Sequence, residues 1–333
     1  MRRREFITLF GGTAATWPLM ARAQPPTKMK RMAFVNSAGD ISRISVSGSP
    51  FYRAFFEELN RLGYTEGQDL GVERYSGEGR TERYAELARD VVKTHPDLIL
   101  TVGARLSLDF KMATTTIPIV TMIIDPIALG LVASIARPSG NITGVAIAGG
   151  LEIIGKRMGL LIEAMPKLAS VSYLASQPFW KDPRGASVRE AAKRTGISLS
   201  PVMLITFDEA EYQRVFRSMA QDRADAFMVS DEPENAINRE MIVELAAKER
   251  IPAMYPFRDY VEVGGLMAYS VDLADTSRRL ANLVDKILKG ANPGDNPFYQ
   301  QTKFELVINL KIAKALGLEM PAMLLARADE VIE

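Results

Sequence analysis

From Lys30 onward, short apolar runs alternate strictly with longer amphipathic ones, and this leaves few folds open to the chain. Arg31-Met32-Ala33-Phe34-Val35 reads as a strand ending in the polar loop Asn36-Ser37-Ala38-Gly39-Asp40. Pro50 opens a helix whose Phe51, Ala54, Phe55 and Leu59 fall at helical spacing, and Gly63 closes it. Residues 70–75 alternate as a second strand, and Tyr84, Leu87, Ala88, Val91 and Val92 form the buried stripe of a helix over 81–93. Residues 96–103 are apolar enough to be covered on both faces, as parallel strands are. A helix over 104–114 follows, then a strand over 119–124 that ends at Asp125-Pro126. Short connections between such units predict a doubly wound parallel sheet with right-handed crossovers. Ligands bind outside the carboxyl ends of such strands. His95-Pro96 falls at the opposite end, so His95 reads as a solvated turn residue.

A turn-rich interruption over 137–144 precedes a second round of the same scheme. Helix 150–165 leads to strand 171–175, ending at Ser176-Gln177-Pro178, and helix 183–195 leads to strand 197–205. Helix 208–220 precedes strand 226–229, which ends at Ser230-Asp231, and helix 236–248 brings the chain to Pro252. Residues 252–272 then read as a short strand, a helical turn opened by Tyr255-Pro256-Phe257, a Gly264-Gly265 turn and another strand. That last strand runs into Asp272, the expected N-cap of an amphipathic helix carrying Leu273, Leu280, Leu283, Val284, Ile287 and Leu288. Residues 304–309 form a late strand, with Asn309 capping a final helix to Leu316. Passages near residues 145, 270 and 302 define two lobes joined by a three-segment hinge. The expected fold is α/β, with two Rossmann-like lobes built on parallel sheets. The first lobe takes residues 29–144 and 272–300, the second 145–271 and 301–333.

Composition removes several function classes. The 333 residues carry a net charge of +1, which gives no reason to expect nucleic acid as a partner. Cysteine is absent and His95 is the single histidine, so thiolate chemistry and histidine-rich metal sites are excluded and no metal is expected. Neither a G-x-G-x-x-G after the first strand nor a G-x-x-x-x-G-K-[ST] is present, so no nucleotide cofactor is expected. Arg2-Arg3-Arg4, an apolar stretch from Phe6 to Met20 and Ala21-Arg22-Ala23 before Gln24 make residues 1–23 an export signal. Arg3-Arg4-Glu5-Phe6-Ile7 fits the twin-arginine pattern, and a general secretory signal with an extra arginine is the other reading. Either way a periplasmic protein, free of a lipid anchor once the signal is removed, is expected.

The strand-end loops supply the candidate site. Gly103 and Ala104 offer backbone N–H groups at a helix N-terminus, suited to a carboxylate. Asp125 and Asp231 come from corresponding strand ends in different lobes and, facing across a cleft, would neutralise an ammonium group. Asn36, Ser37, Ser176, Ser230 and Ser270 add polar contacts, and Tyr255 and Tyr269 stacking surface. Tyr269 borders the hinge and serves packing or stacking equally, Phe257 reads as core, and Arg105 either pairs with a ligand carboxylate or is solvated. Together these residues would read an amino acid. A hydrolase using cleft carboxylates is the catalytic alternative.

Several segments together resemble one family. They are residues 117–126, the run Ser134-Ile135-Ala136-Arg137-Pro138-Ser139-Gly140-Asn141-Ile142-Thr143-Gly144, and Ile251-Pro252-Ala253-Met254-Tyr255-Pro256. With them go residues 264–269 and Lys303-Phe304-Glu305-Leu306-Val307-Ile308-Asn309. The set is similar to the ABC-transporter substrate-binding proteins grouped with tryptophan- and tyrosine-binding members, over essentially the whole chain after the signal. The resemblance implies a periplasmic binding protein of type I fold and hinge-closing kind, without enzyme activity. For transport, a small solute, an amino acid or related aromatic acid, would close the lobes, and a monomer would dock transiently on an inner-membrane permease. An exported ligand sensor of the same fold would share the site.

Overall fold

The computed structural model describes residues 29–148 and 150–333, so the expected export signal lies outside the described residues. In chain order the first lobe begins with β1 (Lys30–Asn36), α1 (Pro50–Arg61), β2 (Leu70–Ser76), α2 (Tyr84–Lys93) and β3 (Leu98–Val102). It continues with α3 (Ala104–Ala113), β4 (Ile119–Ile123) and β5 (Ile142–Ala146). The second lobe follows with α4 (Glu152–Ala164), β6 (Ser170–Ser176), α5 (Gln177–Lys181), α6 (Pro183–Thr195) and β7 (Ser198–Leu204). Then come α7 (Glu209–Gln221), β8 (Ala226–Val229), α8 (Pro233–Ile237), α9 (Arg239–Glu249), β9 (Ala253–Tyr255), α10 (Arg258–Glu262) and β10 (Met267–Val271). The chain returns to the first lobe with α11 (Leu273–Leu288) and β11 (Tyr299–Gln300). It ends in the second with β12 (Phe304–Asn309), α12 (Leu310–Leu316), α13 (Ala322–Leu325) and β13 (Glu330–Ile332).

Two sheets result, ordered β11-β5-β4-β3-β1-β2 and β13-β12-β10-β9-β8-β6-β7. Strands β3, β4 and β5 are buried at every position, as central parallel strands covered on both faces must be. The first sheet is parallel throughout. The second departs from the expected pattern in one place: β10 and β12 pair antiparallel, with Ser270 opposite Glu305. The reason is topological. Strand β10 leaves for the first lobe at the same edge where β12 returns, so the two run in opposite directions.

Three passages join the lobes, at 147–151, 271–273 and 300–304. The first comes slightly later than the boundary expected at residue 144, because residues 142–146 pair with β4 in the first sheet. The helix expected over 236–248 is two helices. Pro233 starts α8 early, and Asn238, whose side-chain amide donates to the Glu234 carbonyl at 2.8 Å, ends it after one turn. That break carries Ala236, Ile237 and Arg239 to the cleft.

Asp272 caps α11 at the second passage, accepting from the N–H groups of Ala274 at 2.8 Å and Asp275 at 3.0 Å. Removing such a cap costs about 1 kcal/mol. Asp272→Ala is therefore expected to lower the unfolding free energy by that amount, read as a lower urea midpoint with an unchanged slope, and an unaltered midpoint would refute the cap's contribution.

Candidate ligand-binding cleft

The carboxyl ends of both sheets face one cavity of about 760 Å³. From the first lobe come Asn36, the serine-rich loop over 39–49, Phe51 and Tyr52 of α1, the β3–α3 junction at Val102, Gly103 and Ala104, and Met122, Ile123 and Ile124 at the end of β4. The second lobe contributes Arg184, Asp231, α8, Arg239, Phe257 and Asp259, and the hinge contributes Ile147 and Leu273. The lining combines apolar side chains such as Phe51, Val102, Ile124 and Phe257 with polar and charged ones such as Asn36, Arg184, Asp231 and Asp259.

In the first lobe the Asn36 side-chain amide donates to the Tyr52 hydroxyl and so fixes that ring. Burial pushes the hydroxyl's pKa up, so Tyr52 stays neutral. Asp40 closes the serine-rich loop by accepting from Ser42 N–H at 2.9 Å, and the same bond holds its carboxyl below the usual range. At the β3–α3 junction the Gly103 N–H is spent on the Met122 carbonyl, at 3.0 Å. The donors left to face the cleft are the next N–H groups of α3, which have no partner within the helix.

In the second lobe Asp231 lies 4.0 Å from Arg184, with both side chains almost entirely buried. Arg184 is already engaged by Asp182, at 2.6 Å to Nη2, and lies 4.6 Å over the Phe179 ring. Burial opposes its charge, but the Asp182 bond and the charges of Asp231 and Glu232 outweigh burial and hold the guanidinium above its ordinary pKa. Arg157, also buried, is a second cation acting on Asp231. Of these charged groups Arg184 and Asp231 line this wall of the cavity, while Arg157, Asp182 and Glu232 act on them from outside the lining. Elsewhere on the wall, burial pushes the Asp259 carboxyl up from its ordinary value, while Arg239 works against the shift.

The lobes are closed on one another. A Cβ on Gly103 would stand 2.9 Å from Pro233 Cγ, and one on Gly39 would stand 3.1 Å from Ile237 Cδ1. Tyr84 of α2 donates to Glu234 of α8 at 2.5 Å. A small void of about 20 Å³ is all that separates Ser37, Tyr84 and Arg105 from Ser176, Glu232 and Glu234.

Of the residues expected at the site, Asn36, Gly103, Ala104 and Asp231 line the cavity. Ser37 and Ser176 border the small void instead, and Ser230 is fully buried with its hydroxyl on Glu232 at 2.6 Å. Asp125 does not reach the cavity, because its carboxylate caps the following turn by accepting from Ile127 and Ala128 N–H at 3.0 and 2.9 Å. Tyr255 is the last residue of a central strand and stacks on Tyr260 in the core, with ring centroids 4.9 Å apart. Phe257, assigned to the core from sequence, is indeed 5% exposed within the core, and unlike Tyr255 it also borders the cleft, two residues beyond the end of the strand. Tyr269 stacks on Phe304 at 5.5 Å and Ser270 is buried in the sheet, so neither lines the cavity. Arg105 pairs with Asp109 at 3.2 Å. Sequence reasoning missed Tyr52, Arg184, Arg239, Asp259 and the serines beyond Gly39. The length of the Ser/Gly-rich loop after the first strand was the one available signal for the last group.

Two α/β lobes, linked by three passages and shut over a cavity lined from both sides, define a hinge-closing solute-binding protein. Residues 48–332 match the family model described as ABC transporter substrate binding protein, and the chain belongs to that family. It is 23% identical over 270 residues to a tyrosine-binding protein of Clostridioides difficile (strain R20291), covering 80% of this chain and 76% of the relative. Among solved structures, a conserved domain protein from Vibrio cholerae matches with a TM-score of 0.79 and 23% identity over 91% of this chain and all of that one. The ABC domain from Streptococcus pneumoniae in complex with L-Trp matches with a TM-score of 0.77 and 22% identity, over 91% and 100% of the two chains. A ligand-free, open substrate-binding protein from Clostridium difficile matches at 0.58 and 20%, over 91% and 99%. These likenesses establish the fold. Among the described residues no helix is long and apolar enough to cross a membrane.

Proposed function

We propose that this chain is the exported ligand-capturing component of an ABC importer, and that its ligand is an amino acid with a large, aromatic side chain. One observation carries the reading: Pro233 of one lobe abuts Gly103 of the other, and Asp231 of the second lobe lines the same cavity as Gly103 and Ala104 of the first. The α-ammonium and α-carboxylate of an amino acid hang on a single carbon, so their partners must lie side by side. Here a carboxylate of the second lobe and a helix N-terminus of the first open on one cavity. Phe51, Tyr52 and Phe257 in the lining suit an aromatic side chain. The cavity's size lies in the range of small-molecule sites. The names of the tyrosine-binding relative and the L-Trp complex point the same way. The arginine-led N-terminal stretch supports export to the periplasm, and the family supports a permease partner.

Isothermal titration with L-Trp, L-Tyr and L-Phe, beside their deaminated acids and decarboxylated amines, tests this. The amino acids are expected to bind most tightly. Asp231→Asn is expected to remove about 2 kcal/mol of amino acid affinity, or ~30-fold, and to leave the deaminated acids nearly unaffected. Binding confined to sugars, or equal losses for amino and deaminated ligands, would reject the pocket as drawn.

A further inference from the structure

Two buried glutamates stand behind the cavity, and they differ in where their hydrogen bonds come from. Glu232 accepts from Ser176 N–H at 3.0 Å, Ser176 hydroxyl at 2.5 Å and Ser230 hydroxyl at 2.6 Å, all within its own lobe. Glu234 is 5% exposed, and Tyr84, which belongs to the other lobe, donates to its carboxylate. Opening the cleft would leave the hydrogen bonds of Glu232 intact. For Glu234 it would remove both the donor and the lobe-one cover formed by Tyr84, Gly103 and Ala104.

We propose that Glu234, buried against Tyr84 of the other lobe, is a positioning residue for lobe closure: a proton-sensitive latch outside the ligand cavity that favours the closed form in acid. The proposal rests on the reading that ligand capture requires closure. In the closed form, burial raises the Glu234 carboxyl above its ordinary pKa, the neighbouring Glu232 charge adds to the rise, and the Tyr84 bond only partly offsets it. The cations bordering the same void are Arg105 of the first lobe and Arg184 of the second. Arg184 is committed to Asp182 and Arg105 to Asp109. Tyr212 of α7 faces the neighbouring Asn235, to which it donates at 2.6 Å. A group whose pKa is raised in the closed form contributes to closure fully below its open-form pKa. The contribution disappears as pH rises through the closed-form pKa.

The chain lacks cysteine, so two introduced thiols report lobe separation without background. Met112 on α3 and Ile205 after β7 are 85% and 81% exposed, one on each lobe. Spin labels on Met112→Cys and Ile205→Cys would give the interlobe distance distribution of the ligand-free protein in acidic and alkaline buffer. The closed population is expected to rise at least about fivefold relative to the open one on acidification. Glu234→Gln is expected to stay closed with no pH response, and Tyr84→Phe to keep the response with its midpoint moved upward. A distribution that ignores pH, a response unchanged in Glu234→Gln, or an unmoved midpoint in Tyr84→Phe would overturn the latch. No ligand is present in the measurement, so a failed ligand screen would not be mistaken for a failed latch.

Discussion

Gly103→Ala is expected to abolish ligand-induced stabilisation while leaving a folded protein. Two separate costs meet at this position. The backbone stands at φ 100° and ψ 152°, a region essentially reserved for glycine. Forcing another residue there costs about 1–3 kcal/mol. That first cost falls on open and closed forms alike and would appear as reduced stability without ligand. The second falls on closure alone, since the new Cβ would stand 2.9 Å from Pro233 Cγ of the opposite lobe. Affinity is expected to fall at least about tenfold, because each 1.4 kcal/mol lost from the closed state is a factor of ten. Adding Pro233→Ala should restore much of the affinity without restoring the stability, a non-additivity that assigns the second cost to the lobe contact. Full ligand-induced stabilisation in Gly103→Ala alone would show that the lobes need not meet there.

The second large effect concerns stability. Arg157 is 5% exposed, and its guanidinium ties two segments of the second lobe together by donating to the Tyr269 and Pro256 carbonyls, each at 2.9 Å. Burial lowers its pKa from the ordinary value, and the Asp231 charge resists that shift. Arg157→Met preserves much of the volume but strands both carbonyls and withdraws one counter-charge from Asp231. Hydrogen bonds to a charged group contribute about 1.5–3 kcal/mol each, so a loss of about 3–5 kcal/mol in urea unfolding is expected. Arg157→Lys should recover little, because one ammonium lacks the planar fork that spans two carbonyls. A loss below about 1 kcal/mol would mean that water or another donor takes over the carbonyls.

These two residues also show what a single sequence makes legible. Alternation of apolar runs with amphipathic helices was enough for two α/β lobes, since strand burial and helix periodicity are local consequences of side-chain order. Gly103 was visible because a glycine between a buried strand and a helix has few other uses. Arg157 was invisible: in the sequence it is one more cation on an amphipathic helix, and only tertiary contact puts it beneath the hinge strand. Asp125 and Asp231 occupy equivalent strand ends, yet Asp125 turns back onto its own loop and Asp231 does not. Side-chain direction at a strand end depends on the next few backbone angles, which composition does not encode. That Phe257 and not Tyr255 borders the cleft has the same origin, two residues of chain beyond a strand end. The antiparallel β10–β12 pair was hidden for a related reason, since strand direction follows from where the chain re-enters a lobe.

That re-entry bears on how the molecule comes into being. Helix α11 and strand β11 complete the first lobe, and Ser277 of α11 donates to the Phe51 carbonyl of α1 across 226 residues of chain. During synthesis the first sheet therefore lacks an edge strand and a covering helix until nearly all of the second lobe has been made. The second lobe in turn waits for β12 to flank β10. Contacts so distant in sequence close late and slowly, because loop entropy is lost before the contact forms. Both lobes therefore gain their last elements only after residue 272, so the cleft between them is among the last features to arise.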